Sequence, residues 1–72
     1  METATKQIAS EIRAEMAKKK VIPSVLALEL GWSRSTVYSR INGSSAWTID
    51  EIVTASNFLK IDPAFLVRQA LA

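Results

Sequence analysis

Apolar residues recur along this chain at intervals of three and four, broken at four places by turn chemistry, and that rhythm predicts an all-α fold of five helices. Ile8, Ile12 and Met16, with Ala9 beside them, give the narrow apolar face of a helix over residues 4–19. Val21 and Ile22 lead to Pro23, which suits the first position of a second helix, where a missing N–H costs nothing. On that helix Leu26 and Leu30 share a face, and Ala27 is small enough for another helix to cross closely. Gly31 permits the positive φ that ends a helix in a tight turn, and Ser33 can cap the next one. Val37 and Ile41 form the buried stripe of this third helix, and Asn42-Gly43-Ser44-Ser45 follows as a loop. Thr48-Ile49-Asp50-Glu51 is a capping box that opens a fourth helix to about residue 59, with Ile49, Ile52, Val53, Ser56 and Leu59 expected inward. Asp62-Pro63 starts a fifth, to about residue 70, burying Leu66 and some of the set Val67, Ala70 and Leu71. Trp32 is expected as a lid on the core and Trp47 as core or loop packing.

Composition narrows the function. A 72-residue chain holds one domain, residues 1–72, and at this size buries only about 60% of its unfolded surface, so pairing with a second copy would help it. Hydrophobic residues at 49% argue against disorder. With no cysteine and no histidine, neither a disulfide framework nor a thiolate or imidazole metal site can form, and no metal or cofactor is expected. Glu11 with Glu15 and Asp50 with Glu51 are the close carboxylate pairs. The first reads as a solvated face and the second as helix-start charge, so an enzyme is not expected. The longest apolar run, Val25 to Leu28, is far too short to span a bilayer, and the first residues lack the apolar core of a signal peptide; the expectation is a cytoplasmic protein without a membrane partner. The net charge is only +2, but residues 13–40 carry six cations against two acids, a balance of +4, while the segments on either side are each at −1. That distribution suits a face turned to a polyanion.

The run Leu26-Ala27-x-x-Leu30-Gly31-x-Ser33-Arg34-Ser35-Thr36-Val37 resembles the helix-turn-helix of the Cro/C1-type repressor family. Gly43, Thr48 to Ile52 and Leu59 to Leu66 extend the likeness over roughly residues 8–68. The resemblance implies a compact, five-helix, lambda-repressor-like domain whose helix-turn-helix, residues 23–42, binds a double-stranded DNA operator. The small size, without an effector domain, points to a Cro-like or immunity repressor of phage type, bound to its operator as a homodimer and needing no small-molecule ligand. Two departures stand out. Pro23 occupies a position where the family often has a phosphate-binding Gln. Met16 and Ile41 align with positions where it often pairs Arg with Glu, an exchange that costs little because a buried ion pair gains little over good packing.

A recognition helix meets the major groove with its N-terminal end. The expected base contacts are therefore Arg34 and Ser35, then Tyr38 and Ser39 one turn on. Arg34 leads, because its planar fork matches the O6 and N7 edge of guanine. Ser24, Ser33, Thr36, Arg40, Asn42, Ser44, Lys19 and Lys20 are expected at phosphates, holding register without reading sequence. Phe58, Phe65, Val67 and Leu71 are the apolar residues expected to form a two-fold interface. The alternative is a protein-interaction module of the same fold, such as an antitoxin.

Overall fold

The structure, a computed structural model, describes residues 3–71, apart from the side chains of Thr3 and Ala70. Five helices follow one another: α1 Thr3–Lys19, α2 Pro23–Leu30, α3 Arg34–Ile41, α4 Ile49–Leu59 and α5 Pro63–Leu71. Each start has a local cause. Pro23 opens α2 with its φ already set. The Ser33 hydroxyl accepts the Thr36 N–H at 3.1 Å and opens α3. At α4 the box is complete, with Thr48 Oγ1 accepting from Glu51 N and Glu51 Oε1 accepting from Thr48 N. Asp62 Oδ1 accepts the Ala64 N–H at the start of α5.

Three helices end by one device. Lys20, Gly31 and Lys60 adopt positive φ of 58°, 71° and 59° just past α1, α2 and α4. The N–H of the next residue then reaches the carbonyl five back: Val21 to Met16, Trp32 to Ala27 and Ile61 to Ser56, at 2.8–2.9 Å. Val21, Trp32 and Ile61 all lay apolar side chains against the core, so each turn is closed by a hydrogen bond and a hydrophobic contact together. The glycine at Gly31 announces its turn in the sequence; the two lysines do not.

α1 packs most extensively on α5 and also touches α3 and α4; α2 packs on α3 and α4, and α4 on α5. The radius of gyration is 10.9 Å, against about 11 Å for a compact chain of this length. Ile8, Ala9, Ile12 and Met16 from α1 meet Leu26, Ala27, Val37, Ile41, Ile52, Leu59 and Leu66 in one core. Met16 and Ile41 are both buried there. Trp47 is buried, and Trp32 half-covers the core with its ring centroid 5.8 Å from that of Trp47.

The inward face of α4 differs from the expectation. Ile49 is 65% exposed and Val53 40%, whereas Ile52, Ala55, Ser56 and Leu59 are buried. Val53 lies about 100° round the helix from Ile52, and Ile49 sits at the helix's open end. Ala55, outside the expected set, is fully buried. On α5 Leu66 is fully buried, Val67 is half-buried and Leu71 is 80% exposed. Leu71 is the last residue of the helix, past the turn that packs. The expected burial of Ala70 lies outside the described side chains. No helix among the described residues is long and apolar enough to cross a membrane.

Candidate nucleic-acid interface

α3 is eight residues long, joined to α2 by the turn Gly31 to Ser33 and anchored on the core by Val37 and Ile41. Since those two buried residues are four apart, the opposite side of the helix must face outward. Arg34, Ser35 and Tyr38 are exposed, Tyr38 by 50%, and Thr36, Ser39 and Arg40 are half-buried. Arg34 has no ion pair among the described residues and makes none with Glu29, its nearest acid in sequence before α3. A cation in the first turn opposes the helix dipole, so its exposed guanidinium is better matched to an external anion or acceptor than to its own helix.

The remaining hydroxyls of α3 are already engaged. Ser33 Oγ lies 3.0 Å from Thr36 Oγ1 while capping Thr36 N, and Ser39 Oγ donates to the Thr36 carbonyl at 3.0 Å. Each can make a further bond, but none is free in the way the Ser35 hydroxyl is. Ser35 and Arg34 therefore lead the N-terminal end, with Tyr38 one turn behind.

Arg40 is turned inward onto α4 rather than out toward a phosphate. Its Nε donates to Glu51 Oε1 at 2.8 Å and its Nη2 to Glu51 Oε2 at 3.0 Å, a two-point pair with both side chains 20% exposed. The fork geometry suits a carboxylate, and a half-buried pair is stronger than a solvated one. The Arg40 hydrogen bonds hold the Glu51 carboxyl below the usual carboxylate range, and Glu51 in turn raises Arg40. The sequence offered no sign of this, since the partners lie eleven residues apart across a loop.

Lys18 and Lys19 both bind Glu15, at 3.1 and 2.9 Å, and lower its pKa, Lys19 more than Lys18. Lys19 is thus an ion-pair partner as well as a candidate phosphate ligand, though such an exposed contact exchanges readily with solvent. Lys6, Arg13, Lys20 and Arg34 are exposed cations of this half of the chain without an ion-pair partner among the described residues. Ser24 is exposed on the first turn of α2, whose N-cap residue Ile22 supplies no side-chain cap. Asn42 Oδ1 accepts the Ser44 N–H at 2.9 Å, shaping the loop and leaving the Asn42 amide N–H groups and the Ser44 hydroxyl outward-capable.

The apolar residues expected at a two-fold contact are spread. Phe58 and Phe65 are half-buried against the core, Val67 is half-buried, and Leu71 projects freely. Other exposed apolar side chains lie on α2 and its lead-in (Ile22, Val25, Leu28) and on α4 (Ile49, Val53). Among the described residues no group of three or more carboxylates is placed to hold a metal ion.

Two residues outside the expected set bear on α3. Trp47 Nε1 donates to the Arg40 carbonyl at 3.0 Å, and Arg13 Nη1 donates to the Ile41 carbonyl from α1. Neither has a sequence signal beyond being a donor near an apolar stripe. No protein-family model matches the chain, and no curated protein or solved structure is significantly similar to it.

Proposed function

We propose that this chain is a sequence-specific double-stranded DNA-binding regulator, with α2 and α3 as a helix-turn-helix and α3 as the recognition helix in the major groove. The observation that carries the reading is the outward face of α3: Arg34, Ser35 and Tyr38 are exposed together, without an acidic neighbour on the helix, beyond a capped N-terminus. The family likeness of residues 26–37 supports it and makes a small Cro-like repressor, acting in the cytoplasm, the preferred form. Arg34 reads a guanine, Ser35 an adjacent base edge, and Tyr38 packs on a thymine methyl or bonds a phosphate. Lys20, Ser24, Asn42 and Ser44 hold the backbone. One module covers too little DNA for selectivity, so two copies on half-sites about 34 Å apart complete the site.

Selection from a random duplex pool, followed by binding across a salt series, tests the reading. A palindromic sequence is expected, with affinity falling steeply as salt rises. Arg34→Ala is expected to cost about 1–3 kcal/mol on that sequence and to relax discrimination at one base pair per half-site. A pool without enrichment, or affinity flat in salt, overturns it. The exposed apolar residues of α2 and α4 favour a second reading, a protein-interaction module such as an antitoxin. That reading gains if the isolated chain binds no duplex.

A further inference from the structure

We propose that Arg13, on α1 and outside the expected contact set, is the positioning residue that sets the tilt of α3. The inference rests on α3 being the recognition helix.

A helix leaves its last carbonyls without partners inside the helix. In α3 each of the last four has found one. Asn42 N donates to the Tyr38 carbonyl at 3.0 Å and Ser45 N to that of Ser39 at 3.0 Å. The Arg40 carbonyl accepts from Gly43 N at 3.4 Å and from Trp47 Nε1 at 3.0 Å. These donors all belong to the chain directly after α3, with Trp47 itself seated in the core. The Ile41 carbonyl is different: its donor is Arg13 Nη1, twenty-eight residues away on another helix.

That bond does what the core contacts of α3 cannot. Val37 and Ile41 bury apolar surface, an attraction that carries no preferred direction of its own. A guanidinium aimed at a carbonyl has a preferred line, and its charge complements the negative end of the helix dipole. Arg13 is itself exposed, and its position is set by the groove it borders. With Met16, Ala17, Val21, Pro23 and Ile41 it lines an open apolar groove, where its methylene stem packs while its head reaches the backbone. The Arg40–Glu51 pair ties the same end of α3 to α4, so α3 is fixed from two sides.

The lever is long enough to matter. From Ile41 back to Arg34 the helix rises about 10 Å. A tilt of about 10° at the anchored end then moves Arg34 by about 2 Å, beyond what a two-point contact with a base tolerates.

Arg13→Met keeps the stem and deletes the donor; Arg13→Lys keeps a charged donor. In the free protein, amide hydrogen exchange at Asn42, Gly43 and Ser45 is expected to quicken at least tenfold in Arg13→Met, with α4 and α5 unchanged, and to return toward wild type in Arg13→Lys. On DNA, the ratio of affinity for the selected sequence to affinity for random duplex is expected to fall at least tenfold in Arg13→Met. Random-duplex affinity and its salt slope stay as in wild type, and Arg13→Lys recovers part of the ratio. If Arg13→Met does not fold, Arg13→Gln, with a neutral donor on a shorter stem, is expected to lie between wild type and complete loss on both readouts. Unchanged exchange overturns the proposal. So does an equal loss on both duplexes with a salt slope shallower by about 0.9, which marks a phosphate ligand instead. If wild type shows no sequence preference, the recognition reading fails, and the exchange measurement still decides whether Arg13 holds α3.

Discussion

Ser56 shows how much one atom can decide. Its side chain is fully buried in α4 and its Oγ has no hydrogen-bond partner, a state that costs about 1–3 kcal/mol for a hydroxyl. The periodicity correctly marked Ser56 as inward without saying why a polar group should be there, and nothing in the structure explains it. Ser56→Ala removes the orphaned oxygen and improves helix propensity. It is expected to stabilise the protein by about 1 kcal/mol, which a thermal melt would register as a rise of roughly 4–8 °C. A lower melting temperature would mean that the hydroxyl is satisfied in solution. Polar bookkeeping of the same kind thins the candidate reading face. Hydroxyls at 33, 36 and 39 serve the helix itself, which leaves Arg34, Ser35 and Tyr38 as the candidate reading face.

Glu51 shows one side chain serving two helices. It closes the capping box of α4 and holds Arg40 of α3, so the end of one helix and the start of the next share a carboxylate. Because its pKa is lowered on folding, chiefly by Arg40, its contribution is fully present above the unfolded carboxylate value of about 4.3 and is lost as pH falls through the lower folded value. Glu15, lowered by Lys19 and Lys18, adds loss in the same direction. Glu51→Gln keeps a side chain that can close the box but removes the ion pair. Urea unfolding from pH 7 to pH 2.5 is expected to show the variant less stable by about 0.5–1 kcal/mol at neutral pH. That gap should close in acid, where the wild type has lost the same charge. A gap that persists undiminished at pH 2.5 would assign the stabilisation to the cap alone.

For a molecule only 30 × 23 × 21 Å across, the surface left apolar is as informative as the core. Phe58 and Phe65 lie against the core, so replacing either is expected to disturb folding before association. Leu71, 80% exposed at the end of α5, separates the two. If α5 carries the two-fold contact, Leu71→Glu should weaken self-association at least tenfold by sedimentation equilibrium, with the monomer's melting temperature unchanged at low concentration. Unaltered association would move the contact to the exposed apolar residues of α2 or α4 instead.

The helices themselves were readable because their causes are local. A cap, a proline at the first position, a glycine at positive φ or an apolar repeat acts within about one turn, and the sequence displays all of them; the bounds of α4 fell where Thr48 and Leu59 placed them. The outward positions of Arg34, Ser35 and Tyr38 followed from the same arithmetic, since fixing Val37 and Ile41 inward fixes what lies opposite, whereas Ser39, expected with them, is half-buried. Packing settled the rest. Whether Ile49 and Val53 are covered depends on where other helices stop. Whether Arg40 points out or onto Glu51, and what Arg13 and Trp47 grasp, depends on groups seven to twenty-eight residues apart being brought within 3 Å of one another. Side-chain partnership is a property of position in space, and a one-dimensional pattern carries it only as far as a helical turn extends.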